Sequence, residues 1–106
     1  MKKYKMYEYM GSEYIVMPKD IATSYRKKIG QELRKKGYQI LIPSRTAMAN
    51  GCKFSMLVDG NIKKTFNIIK KYFPNVRHFR GTRGFPLFEW RVKYSDKGDL
   101  YKKYMK

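Results

Sequence analysis

Residues 44–59 read SRTAMANGCKFSMLVD, and the fold turns on how this stretch is read. In one reading Ser44 caps a short helix over residues 45–50, Gly51 ends it, and Cys52 and Phe54 pack inward. In the other, residues 46–50 form a loop and residues 53–58 form a strand, stopped by the Asp59-Gly60 turn signal. Local pattern does not choose between them, so the flanking segments have to be read first.

Upstream, the spacing predicts a helix over residues 21–36. Asp20 is a suitable N-cap, Ile21, Tyr25, Ile29 and Leu33 recur every four residues, and Gly37 is the C′ glycine. Arg34, Lys35 and Lys36 in its last turn complement the helix dipole, so helix physics alone accounts for part of their charge. Residues 38–42 then predict a short buried strand ended by Pro43. Ahead of the helix, residues 1–12 mix Lys and Tyr without a period and read as an arm. Residues 14–17 form an apolar run before Pro18 that suits a short strand.

Downstream, Asn61 caps a predicted helix over residues 62–72, with Ile62, Phe66, Ile69 and Phe73 on one stripe and Pro74 as terminator. Lys63, Lys64, Lys70 and Lys71 cover the opposite side. Residues 76–94 then read as a basic β-hairpin. Phe88, Trp90, Val92 and Tyr94 alternate with Leu87, Glu89, Arg91 and Lys93, the period of a strand with one buried face. Arg80-Gly81-Thr82-Arg83-Gly84 supplies the turn, and Arg77, Arg80 and Arg83 are expected to crowd the tip and one flank. Residues 95–106 form a polar tail in which Leu100, Tyr101 and Tyr104 suit one packed turn.

The chain has 106 residues, enough for one domain with a single core. Its formal net charge of +17, from 25 basic and 8 acidic residues, exceeds what solubility needs. Such self-repulsion costs stability unless a polyanion relieves it, and nucleic acid is the leading candidate because counterion release favours lysine-rich surfaces. No apolar run approaches the roughly 20 residues that span a bilayer, and residues 4–9 contain Lys5 and Glu8, so neither a membrane span nor a signal peptide is expected. A single cysteine, Cys52, fits a reducing cytoplasm. With one Cys and one His no protein-only zinc site is expected, and no phosphate-binding glycine loop is present. No cofactor is therefore anticipated.

With residues 45–50 helical, the order helix, short strand, helix, helix, hairpin resembles the winged helix-turn-helix DNA-binding family over residues 20–94. Ala47 and Gly51 resemble the alanine and glycine of a helix-turn-helix. The resemblance implies that Asn61, Lys63, Lys64, Asn67, Lys70 and Lys71 lie on a helix entering the major groove. It also implies that Arg77, Arg80, Thr82 and Arg83 lie on a wing that contacts the backbone or the adjacent minor groove. With residues 53–58 as strand, the order strand, helix, strand, strand, helix, hairpin is similar to a ferredoxin-like sandwich, a fold that includes RNA-recognition modules. Both readings are α+β.

The expected function is a non-enzymatic double-stranded DNA-binding protein that uses the hairpin and the lysine-rich helix, with a homodimer as the candidate assembly. Small size, charge and a composition suggesting AT-rich coding DNA suit an accessory or regulatory protein of a plasmid or phage. The alternatives are an RNA-binding module, a small ribonuclease toxin using His78, or a basic adaptor for an acidic protein. His78 reads more simply as a hairpin-edge side chain, because Glu89 reaches it only in a favourable hairpin register. Three arginines within seven residues argue against a turn whose charge serves solubility alone. No Asp or Glu occurs from Gly60 through Phe88, so neither the helix nor the hairpin turn is neutralised from within its own segment.

Overall fold

A computed structural model describes residues 3–97; the reading of Leu100, Tyr101 and Tyr104 as a packed turn lies outside them. Over the described residues the protein is α+β, with two helices and a six-stranded mixed sheet. The elements in chain order are β1 (Met6–Tyr9), β2 (Ser12–Met17), α1 (Lys19–Lys35), β3 (Gln39–Met48), β4 (Gly51–Asp59), α2 (Ile62–Tyr72), β5 (Arg77–Arg80) and β6 (Pro86–Tyr94).

The deciding stretch is a β-hairpin. β3 and β4 pair antiparallel from Gln39↔Asp59 to Met48↔Gly51, so residues 45–48 are strand rather than helix or loop. Ala47 sits opposite Cys52, which leaves no helix-turn-helix at Ala47 and Gly51. Two physical reasons decide the competition. Ala49 and Asn50 form the two-residue loop between Met48 and Gly51, with Asn50 at φ 57°, and the backbone N–H of Tyr94 donates to the Asn50 carbonyl at 2.7 Å. Cys52, Phe54, Met56 and Val58 alternate onto one face and are all buried there, a burial that a helix over residues 45–50 does not provide.

The predicted short strand ending at Pro43 is also corrected. β3 continues through Pro43 to Met48, and most of it is exposed. Among the described residues it forms one edge of the sheet and pairs with β4 alone, so a proline costs little there and the bulge between Ile40 and Ile42 is tolerated. At the other edge, residues 6–9 of the expected arm pair with β2 as β1. β2 runs parallel to β6 (Ile15↔Val92, Met17↔Tyr94), and β6 runs antiparallel to β4. β5 pairs with Pro86 to Glu89 on the edge of β6 that β2 uses further along, giving the order β1-β2-β6-β4-β3 with β5 off the path.

α1 begins one residue before the expected N-cap. Pro18 holds that position, Asp20 lies in the first turn where it complements the dipole, and the Lys19 N–H donates to Asp96 Oδ1 at 3.2 Å. Its end matches expectation. Gly37 has φ +86°, and the N–H groups of Gly37 and Tyr38 donate to the carbonyls of Arg34 and Leu33. α2 spans the predicted residues, with Asn61 Oδ1 accepting from the Lys64 N–H at 2.9 Å. The buried stripe of α2, however, is rotated. Thr65 and Ile68 join the expected Ile69 and Phe73 in the core, while Ile62 is exposed and Phe66 half-buried.

Both helices pack on one face of the sheet. Ala22, Tyr25, Ile29 and Leu33 of α1, with Ile68 and Ile69 of α2 and Phe73 beyond it, meet the inward residues of β2, β4 and β6. Phe73 stacks on Trp90 at 5.1 Å between ring centroids, and Phe54 lies 5.5 Å from Trp90. Phe88 and Trp90 are thus core residues, which anchors the base of the C-terminal hairpin.

Candidate nucleic-acid interface

Antiparallel pairing of β5 with β6 fixes where each hairpin side chain points. Arg77 lies opposite Glu89, His78 opposite Phe88, Phe79 opposite Leu87 and Arg80 opposite Pro86. Phe88 faces the helices, so period-two alternation puts His78 and Arg80 on the helix side and Arg77 and Phe79 on the other. Arg77 and Arg80 therefore do not share a flank, which corrects the expectation of one arginine cluster. The Arg77 guanidinium lies over the Phe79 ring at 5.3 Å. Thr82 and Arg83 are exposed at the tip, where Arg83 takes φ 59°. His78 is exposed and stands 5.3 Å from the Phe88 ring. Glu89, across from Arg77, points to the opposite face from His78, so the register gives that histidine no carboxylate partner from Glu89.

On α2, Lys63, Lys64, Asn67 and Lys70 are exposed, with the Lys70 ammonium 5.7 Å from the Phe66 ring. Lys71 is engaged elsewhere. Its Nζ lies 2.8 Å from Glu32 Oε2, while Tyr72 Oη donates to Glu32 Oε1, so one carboxylate joins α2 to α1. The Lys71 hydrogen bond, followed by that from Tyr72, holds the Glu32 carboxyl below its ordinary range. The same carboxylate pushes the Tyr72 hydroxyl up to about 12. Asn61 is likewise engaged, as the cap of α2.

The sheet face opposite the helices carries Lys53, Arg91 and Lys93, which the sequence reading did not single out. Glu89 lies between the first two, 3.8 Å from Lys53 and 3.6 Å from Arg91. Arg91 also donates to Ser12 Oγ at 2.7 Å, and the buried Lys93 donates to the Ala49 carbonyl at 2.8 Å. These cations are tied into the sheet. Arg26 and Arg45 were missed as well. Arg45 on β3 lies opposite Phe54, and the Arg26 guanidinium sits 5.2 Å from the same ring. Neither reading of residues 44–59 placed Arg45 on a strand, so nothing in the sequence could have shown that approach.

Cys52 is buried, and burial pushes its thiol up, in keeping with a small core residue. Among the described residues, no group of three or more His, Cys, Asp or Glu side chains is placed to hold a metal ion, and no helix is long and apolar enough to cross a membrane. Comparison with models of known families, with curated proteins and with solved structures gives no match.

Proposed function

We propose that this chain is a non-enzymatic, cytoplasmic nucleic-acid-binding protein that holds double-stranded DNA through its phosphates. One observation carries the reading. Lys63, Lys64 and Lys70 stand exposed on α2, Arg80 faces the same side of the sheet, Arg83 is exposed at the hairpin tip, and the ion pairs among the described residues include none of them. Unneutralised cations of this density release condensed counterions when they meet phosphates. Arginine adds a planar fork that can take two phosphate oxygens, and the Thr82 hydroxyl can donate to a third.

The hairpin would act as a wing does, on the backbone. Residues 44–59 form a hairpin rather than a helix-turn-helix, so α2 lacks the supporting helix that would aim it at base edges, and affinity should vary little with sequence. The test is fluorescence anisotropy with a labelled duplex across a salt series. Wild-type affinity should fall steeply with salt. Arg80→Ala with Arg83→Ala should flatten the log–log slope by about 2 if each arginine meets one phosphate. An unchanged slope and affinity would overturn the assignment of the hairpin tip.

A further inference from the structure

The two helices cover the middle of the sheet and leave the helix-side positions of edge strand β3 overhanging. Pro43, Arg45 and Ala47 point toward the helix layer yet are exposed. Between α1 and β3 runs a groove of about 490 Å³. Its α1 wall carries Arg26, Lys27 and Arg34, and its floor is Ile40, Pro43 and Met56. Gly30 stands midway along that wall. A Cβ there would lie 3.3 Å from Arg34 Nη1 and 3.6 Å from Ile40 Cδ1, so the bare backbone lets the Arg34 guanidinium fold back toward the floor. Glycine inside a helix costs roughly 1 kcal/mol relative to alanine, and here it keeps the groove open.

Among the described residues the charged side chains lining this groove are Arg26, Lys27 and Arg34, with no Asp or Glu, and no ion pair involves these three or Arg45. Arg26 Nε is buried and makes no hydrogen bond. Burial first, and the neighbouring Arg45 second, lower the pKa of Arg26 from its ordinary value, which reflects two guanidinium groups held near one another. Like charges packed side by side repel, and the arrangement becomes favourable when an anion joins them.

We propose that this groove binds single-stranded nucleic acid, with Arg26, Arg34 and Arg45 on successive phosphates and an unstacked base against Ile40, Pro43 and Met56. The inference rests on the reading of the partner as nucleic acid. A duplex offers phosphates to the arginines but keeps its bases stacked away from an apolar floor, whereas a single strand offers both. Arg26 and Arg34 are eight residues apart, about 12 Å along the helix axis, so the cations are spread along the groove rather than gathered at one point. That separation favours a polymer over a lone nucleotide.

The test measures anisotropy of labelled oligo-dT, oligo-rU and a duplex with wild type, Gly30→Leu and Arg34→Gln/Arg45→Gln. Gly30→Leu fills the groove without changing charge, and its new side chain meets the flexible end of Arg34 rather than backbone. It should weaken single-strand binding about tenfold, the scale of one lost base contact, and leave duplex affinity within about twofold. The arginine variant should flatten the single-strand salt slope by about 1.4, and it decides the matter if Gly30→Leu fails to fold. Comparing dT with rU shows whether the 2′-hydroxyl contributes. Wild-type single-strand affinity retained in both variants, or duplex binding with none to single strands, overturns the groove alone. Binding to no nucleic acid overturns the functional reading with it.

Discussion

Glu32→Gln should make the protein less stable and, at the same time, a better binder of DNA. Glu32 is the carboxylate that removes Lys71 from the free charge of α2, at 2.8 Å, and it also accepts from Tyr72. Replacing it with a neutral isostere raises the formal net charge by one from +17 and returns the Lys71 ammonium to the face that carries Lys63, Lys64 and Lys70. One added phosphate contact steepens the duplex salt slope by about 0.9. The stability cost should be about 1 kcal/mol or less, because Lys71 and Glu32 are 53% and 31% exposed and solvent screens the pair. A matched comparison sharpens the test. Lys71→Ala should leave the duplex slope almost unchanged, whereas Lys70→Ala should flatten it. Salt-series anisotropy gives the slopes and urea unfolding gives the stability. If Glu32→Gln binds DNA more weakly while still folded, or if Lys71→Ala costs as much slope as Lys70→Ala, the division of α2 into engaged and free lysines is refuted.

The same carboxylate makes stability depend on pH at both extremes. The depressed pKa of Glu32 gives a contribution present above the ordinary carboxylate range and lost as pH falls through the folded value, so Glu32→Gln should shrink the difference in urea midpoint between pH 6 and pH 3. Tyr72, pushed up to about 12 by Glu32, and Tyr94, pushed up to about 12 chiefly by burial, contribute fully below pH 10 and lose that contribution as pH rises toward 12. In a spectrophotometric titration these two should ionise late, and Tyr72→Phe should remove part of the late phase. Gly51→Ala should destabilise by about 2–3 kcal/mol in urea unfolding, because its Cβ would sit 2.0 Å from the Val92 carbonyl oxygen and the paired strands β4 and β6 cannot separate there without losing register. A change below about 0.5 kcal/mol, the range of an ordinary surface substitution, would mean that the contact relaxes easily.

Features set by neighbouring residues were legible in the sequence. The C′ glycine at Gly37, the Asn61 cap, the span of α2 and the alternation through Phe88, Trp90 and Val92 each depend on dihedral preference or periodicity within a few positions, and each is present. Charge was legible as an amount, since +17 and the acid-free span from Gly60 through Phe88 are properties of the chain itself. The tertiary structure alone decided residues 44–59, because helix and strand were locally balanced until β6 and β3 paired with β4 and the helix layer buried Cys52, Phe54, Met56 and Val58 on one face. It also decided which cations are free. Lys71 meets Glu32 from 39 residues away, Arg91 meets Ser12 from 79, and Arg26 nears Arg45 only because β3 is a strand. Local preferences act over one or two turns of chain, whereas burial and charge pairing act through space, so the first could be read in order and the second required the fold.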